Sequence, residues 1–255
     1  MRFVQYDYAE TTEASSPSEM DERWDAHWHG REGLKEDLSA EPAWPTIRDA
    51  LTVRGRLLEA GCGTGQWVQF LRRSGHDAVG VDYARAGLEV GRAHDPTLNL
   101  VQADFRALPF DSESFDYIVS FGAIEHDVTG PEAALREFWR VLKPHGKLMC
   151  SVPCLNVYRA LGYPWLVLGR WLKCREVLRR LWGKKIPFVF YQYVWSPREY
   201  KAILGRCGFQ VVDLRGYGTV LKSGLTQAPD AVIRRFNPLS SAHMMMATCI
   251  KRPGE

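Results

Sequence analysis

The sequence predicts an α/β protein built on a parallel sheet with helices on both faces. Three observations carry that reading. From Arg56 onward, short apolar runs alternate with amphipathic stretches of helical period. The first of these runs empties into the glycine-rich turn Gly61-Cys62-Gly63-Thr64-Gly65, directly ahead of a helix. Acids then close the next two runs, Asp82 and Asp104, and open α/β sheets bind ligands at those carboxyl ends.

The elements follow in order. Residues 1–20 are polar and acidic and read as a loosely packed arm. Residues 21–52 mix Trp24, Trp28 and Trp44 with charges, which fits one or two short helices packed onto something larger. Arg56–Ala60 is the first strand, and Gln66–Arg73 a helix with Val68 and Leu71 on its apolar side. Ala78–Asp82 is the second strand, Ala84–His94 a helix and Leu98–Ala103 a third strand. Phe115–Phe121 is the fourth. Glu132–Leu142 is an amphipathic helix that Pro144 and Gly146 stop. Lys147–Val152 is the fifth strand. After an interruption, Ser196 caps a helix with Pro197 in its first turn, and Gly208 ends it. Phe209–Leu214 and Ala242–Lys251 complete the strands, and no internal repeat is visible.

The chain has 255 residues, 45% hydrophobic and 25% charged, which excludes wholesale disorder and fibrous repeats. Apolar stretches such as Trp165-Leu166-Val167-Leu168 are far shorter than the ~20 residues a spanning helix needs. No apolar leader follows Met1, so a cytoplasmic location is expected. Six cysteines, at 62, 150, 154, 174, 207 and 249, show neither C-x-x-C pairs nor zinc-finger spacing. They read as reduced, buried thiols, and no metal site is expected. The net charge of +3 is unevenly placed. Residues 1–40 carry ten acids and four bases, and residues 155–190 carry eight bases and one acid.

The glycine turn admits two nucleotide readings. Dinucleotide folds expect G-x-G-x-x-G, whereas the spacing here is G-x-G-x-G. Glu59, just ahead of the turn, would repel a pyrophosphate but suits a ligand that carries an ammonium group. Asp82, 17 residues after Gly65, is placed to accept hydrogen bonds from ribose hydroxyls. Asp104 can accept from an exocyclic amine, and Phe105 can stack on a purine. Next come Leu108-Pro109-Phe110, then Phe115-Asp116-Tyr117-Ile118-Val119-Ser120, then Glu125-His126, and finally Arg140-Val141-Leu142-Lys143-Pro144 with Gly146-Lys147-Leu148.

These motifs, in this order, resemble the class I S-adenosylmethionine-dependent methyltransferases, in particular the broad type 11 group acting on small molecules. The resemblance is close over Arg56–Pro153 and looser over Ser196–Leu214. It implies a Rossmann-like, seven-stranded sheet with an inserted lid. Glu59, Gly61, Gly63 and Gly65 would line the methionine end of the cofactor, and Asp82 would hold the ribose. Tyr83, Asp104 and Phe105 would lie about the adenine, and Phe121 near the reacting sulfonium. Cys62 only packs in the turn. The resemblance says almost nothing about the acceptor.

The expected organisation is an N-terminal arm and cap helices (1–52), a cofactor-binding core (53–153), an acceptor-recognition insertion (154–195) and the rest of the core sheet (196–255). Methyl transfer to a hydroxyl needs a base at or after the transfer. His126, following the fourth strand, is the candidate, and Glu125 reads as structural. His27 and His29 flank Trp28 in a segment that could close over the site, and Tyr6 and Tyr8 are further lid candidates with a plainer surface reading. The insertion holds Trp165, Trp171, Trp182 and Trp195, four of nine tryptophans. Its basic block reads as a lid helix with a solvated face, as a surface that docks peripherally on anionic membrane, or, least well, as a nucleic-acid contact. The expected reaction is O-methylation of a bulky, partly apolar small molecule by a monomer or homodimer with no nucleic-acid partner. N- or C-methylation, a nicotinamide oxidoreductase and a non-catalytic cofactor binder are the alternatives.

Overall fold

The computed structural model describes residues 2–8, 24–29, 33–156, 159, 188–218, 239 and 242–252, with the backbone alone at 3–8 and 188–190. A seven-stranded sheet forms its centre. We label the strands β1 (Arg2–Tyr8), β2 (Arg56–Ala60), β3 (Asp77–Asp82), β4 (Leu100–Gln102), β5 (Phe115–Phe121), β6 (Leu142–Pro153), β7 (Phe188–Trp195), β8 (Phe209–Tyr217) and β9 (Met244–Lys251). The helices are α1 (Trp44–Ala50), α2 (Gln66–Arg73), α3 (Arg85–His94), α4 (Glu132–Val141) and α5 (Pro197–Arg206). The sheet order is β4-β3-β2-β5-β6-β9-β8. The first five strands of that order run parallel, while β9 is antiparallel to both β6 and β8. The seven-stranded, Rossmann-like sheet expected from the sequence is thus present, parallel through its first five strands with β9 antiparallel.

Two apolar layers sandwich the sheet. Leu58, Val79, Ile118, Leu148 and Ala247 face one side, where Leu135, Phe138, Tyr200 and Leu204 cover them. Leu57, Ala78, Val119, Met149 and Met246 face the other, under Ile47, Val68, Leu71 and Leu88. The central strands β2 and β5 are buried on both faces, which explains why they read as near-continuous apolar runs rather than alternating ones. At α5, the Ser196 hydroxyl accepts from the Glu199 N–H at 3.3 Å, Pro197 takes the first turn, and Gly208 lies at φ +87° beyond the end.

Several boundaries differ from the sequence reading. The helix from Glu132 ends at Val141, and β6 starts at once with Leu142 paired to Phe115, rather than at Lys147. Pro144 disfavours the helical region at Lys143, and the chain spends those residues on extended backbone. Leu98–Ala103 contracts to the three residues of β4. The largest difference is at the N-terminus. Part of the supposed loose arm is β1, paired antiparallel with β7 from Arg2↔Trp195 to Tyr8↔Phe188 in a separate two-stranded sheet. The Arg2 guanidinium lies 4.6 Å from the Tyr193 ring centre. The end of the insertion is thus strand, anchored where Leu155 N–H donates to the Trp195 carbonyl at 2.8 Å. The helix read across Pro164–Trp182, the basic face it would carry and the side chains of Tyr6 and Tyr8 lie outside the described residues.

Candidate active site

The carboxyl ends of β2, β3, β4 and β5 open into one cavity of about 700 Å³. Its size falls in the range of small-molecule sites, roughly 300–1,000 Å³. The cavity gathers every site residue expected from the sequence: Glu59, Gly61, Gly63, Asp82, Tyr83, Asp104, Phe105, Phe121 and His126 line it, and Gly65 lies just behind as the N-cap of α2. Cys62 is buried in its wall.

The glycine turn is held from both sides. Gly61, Gly63 and Gly65 all have positive φ, the left-handed region that costs other residues about 1 kcal/mol or more. Gly61 and Cys62 N–H groups both donate to the Val81 carbonyl, at 2.8 and 3.0 Å. Gly63 N–H donates to Asp82 Oδ2 at 2.8 Å, while Asp82 Oδ1 accepts from Ala84 N–H at 2.9 Å. One carboxylate therefore knits the end of β3 to the turn. Glu59 makes the matching tie to α2. Gly65 has no side chain to cap that helix, and Glu59 Oε2 accepts from Val68 N–H at 3.1 Å instead.

Both acids are nearly inaccessible, Glu59 at 2% and Asp82 at 8% exposure. Burial pushes Glu59 well above the usual carboxylate range; the Val68 N–H works against this and the Asp82 charge adds to it. Burial likewise raises Asp82, against the N–H groups of Ala84 and Gly63. Two such acids beside a backbone cradle form a site that gains from a cationic, hydroxyl-bearing ligand. Asp104 is different. Burial would raise it, but the Arg106 side chain and N–H hold it below its ordinary value. Arg106 grips both oxygens, at 2.6–3.0 Å, and reaches Asp127 at 3.6 Å. The Phe105 ring is buried and meets Phe138 edge-on in the core.

A short helical stretch, 24–28, covers this half of the cavity. Asp25 Oδ1 accepts from Ala86 N–H at 2.9 Å, capping α3 from a distance. The Trp28 indole lies on Gly63 and Gly87; a methyl group on Gly63 would overlap the ring, and one on Gly87 would sit 3.1 Å from it. His27 lines the cavity with Trp28 and Trp24, but His29 does not. The sequence reading named His27, Trp28 and His29 for this closure but not Trp24. It missed Trp67, which stacks on Phe121 at 5.0 Å between ring centres, and it missed Arg106. The sole signal for Trp67 was a tryptophan in the first turn after the glycines.

His126 stands at the other end, on the 3-10 turn Ile124–His126 after β5. Its Nδ1 lies 2.7 Å from the Tyr191 carbonyl of β7. A carbonyl only accepts, so Nδ1 carries the proton and the neutral ring keeps its lone pair on Nε2. Trp24 meets the imidazole edge-on at 4.7 Å. No group of side chains suited to a metal ion occurs among the described residues.

Residues 58–150 match the family model described as "Methyltransferase domain". Over that stretch the chain is similar to methyltransferase domains, and its fold is the one shared by the solved S-adenosylmethionine-dependent methyltransferases below. It is 40% identical over 109 residues to a demethylmenaquinone methyltransferase of Clavibacter sepedonicus, covering 41% of this chain and 44% of that one. A demethylmenaquinone methyltransferase of Roseiflexus castenholzii is 37% identical over 150 residues, 55% of this chain and 60% of the other. The chain thus matches only about half the length of these relatives. Among solved structures, the Burkholderia thailandensis 1,6-didemethyltoxoflavin-N1-methyltransferase, with S-adenosylhomocysteine bound, superposes with TM-score 0.61 at 15% identity, over 97% of this chain and 95% of that one. An S-adenosylmethionine-dependent methyltransferase from Mesorhizobium loti gives 0.56 at 18%, over 84% and 100%. At such identities the likeness is one of fold.

Proposed function

We propose that this protein transfers a methyl group from S-adenosylmethionine to an oxygen of a bulky, partly apolar small molecule. The observation that carries this reading is one cavity holding two buried acids and a glycine cradle at one end and a tautomer-fixed histidine at the other. The cofactor supplies an already activated methyl on a sulfonium, so the protein contributes chiefly proximity and alignment. Glu59 and the turn would receive the ammonium end, Asp82 the ribose hydroxyls, and Tyr83, Asp104 and Phe105 the adenine. Trp67 and Phe121 build a dry wall beside the methionine portion, where charge disperses during transfer. His126, its Nδ1–H tied to Tyr191, would take the acceptor's proton on Nε2.

The curated relatives are named for a quinone-type acceptor and the toxoflavin neighbour for nitrogen, which keeps C- and N-methylation as the second reading. Calorimetric titration with S-adenosylhomocysteine, followed by an acceptor screen read by its release, tests the proposal; no measurable binding would sink it. His126→Ala should leave that affinity in place and slow transfer by roughly 10²–10⁴-fold. Unchanged turnover would remove the histidine from the mechanism. A peripheral role for the basic block at anionic membranes rests on composition. Salt-sensitive sedimentation with phosphatidylserine vesicles tests it, and absence of binding at low salt would discard it.

A further inference from the structure

Arg106 stands between the two ends of the cavity. Among the described lining residues it is the one arginine or lysine. On one side its Nε and Nη2 donate to the two oxygens of Asp104, at 2.6–3.0 Å. On the other its Nη1 lies 3.6 Å from Asp127 Oδ1, too far for a hydrogen bond. Asp127 directly follows His126 and lines the cavity with Val128 and Thr129. Its side chain is 2% exposed. Asp127 Oδ1 accepts from the Thr129 N–H and hydroxyl, at 2.9 and 2.7 Å, whereas Oδ2 has no hydrogen-bond partner. A buried carboxyl oxygen left without a donor costs stability and calls for an explanation.

The two carboxyl groups are unequal partners for one guanidinium. The pair with Asp104 is more than a third exposed on both sides, 38% and 39%, and ion pairs so placed contribute little net stability. Asp127 is shut off from water, where a charge-assisted hydrogen bond counts for more. Arg106 stays on Asp104 because several bonds there outweigh one distant approach. Asp104 keeps the Arg106 backbone N–H, at 2.8 Å, whichever way the side chain turns. A donor that took an Asp104 oxygen would therefore tip the balance without stranding that carboxylate. We propose that Arg106 is a positioning residue: the exocyclic amine of a bound adenine displaces its guanidinium from Asp104, and the guanidinium closes on Asp127 and steadies the turn that carries His126. Nη1 needs to advance by under ~1 Å to reach hydrogen-bond range of Asp127. The turn is already tied on its far side, where the Val128 carbonyl accepts from the Tyr193 hydroxyl at 2.7 Å. The inference rests on the methyl-transfer reading, which puts adenine beside Asp104. Under it the histidine is set once the methyl donor is in place.

The test reads amide hydrogen exchange at Thr129 and Gly130 in the full chain. Two ligands are compared at saturation: S-adenosylhomocysteine and its 6-deamino analogue, which carries hydrogen in place of the exocyclic amine. S-adenosylhomocysteine should slow exchange at these amides about tenfold or more beyond the analogue, the worth of one hydrogen bond to a charged group. Arg106→Leu and Asp127→Asn should each abolish that difference, and Arg106→Lys should restore part of it. Arg106→Leu should also bind S-adenosylhomocysteine at least as tightly as wild type, because the amine no longer competes for Asp104. A guanidinium that merely clamps Asp104 gives the opposite sign, a loss of affinity in Arg106→Leu, and that result overturns the inference. Equal protection by the two ligands in wild type overturns it as well, and this comparison needs no variant to fold. Failure of wild type to bind S-adenosylhomocysteine at all would instead strike the parent reading, and this one with it.

Discussion

Asp82 ties the fold with both of its oxygens and is the residue proposed to hold a ribose. It pins Gly63 and Ala84 while facing the place assigned to a ribose, so its loss acts twice. Asp82→Ala should weaken S-adenosylhomocysteine binding by at least ~10-fold, since hydrogen bonds to a charged group are worth about 1.5–3 kcal/mol; calorimetry reads it, and retained affinity would falsify the ribose assignment. Glu59 carries a second prediction. Burial raises its carboxyl above the ordinary carboxylate range, and an ammonium group beside it would lower it again. Ligand binding should therefore be coupled to proton release above that ordinary range, seen as a buffer-dependent enthalpy, and Glu59→Gln should remove that dependence. Glu125 gives the stability counterpart. Burial lifts it to about 8 from the ordinary 4.5, so the folded state binds the extra proton between those values. Its contribution is complete below pH 4.5 and is lost as pH rises through 8. The stability difference between wild type and Glu125→Gln should shift against wild type over that window by several kcal/mol, at about 1.4 per unit. A flat difference in urea titrations would mean the carboxyl is solvated.

At the scale of elements, what was legible in the sequence is what local chemistry decides. The β2 turn, α2 and α5 were readable because glycine spacing, apolar period and a Ser-Pro start each act within a few residues. The N-terminus of β6 and the pairing of β1 were not, because they depend on distant partners: Phe115 for Leu142, and β7 for β1. The same holds inside the site. Glu59 and the glycines stand in one motif, and Asp82 closes the next strand. Arg106 and Trp67, which complete the walls, belong to no sequence pattern of their own. Helix α3 shows how a residue unfavourable in its own element is retained for another. Glycine inside a helix costs about 1 kcal/mol against alanine, yet α3 keeps Gly87 and Gly91, both buried. A methyl group on Gly91 would overlap the Thr64 carbonyl of the glycine turn. Gly91→Ala should accordingly lower the melting temperature, because overpacking costs typically 1–3 kcal/mol and outweighs the gain in helix propensity. A stabilised variant would show that α3 can back away from the turn.

Across the whole molecule, two segments outside the sheet meet over its carboxyl edge. The stretch 24–28 leans on α3 and the glycine turn through Asp25 and Trp28, and on His126 through Trp24. The strand β7 holds His126 from the other side, and β1 holds β7. The His126 end of the cavity is therefore braced by residues far apart in sequence, while the glycine-turn end is braced by the core. Val4→Pro, in the middle of β1 opposite Tyr193, removes a strand N–H. It should speed hydrogen exchange at Tyr191 and Gln192 and reduce turnover while leaving S-adenosylhomocysteine affinity nearly intact. Equal losses in both would show that the brace reaches the whole cavity.

The pairing of β1 with β7 also sets an order of assembly. Its partners lie 180 to 193 residues apart, from Tyr8↔Phe188 to Arg2↔Trp195. Closing so long a loop is entropically expensive until the intervening sheet has brought the ends together. During synthesis β1 leaves the ribosome long before β7 and waits for it before finding its partner. The histidine end of the cavity is therefore finished after the glycine end. A nascent chain halted past β6 would carry the glycine cradle but lack the strand that orients its histidine.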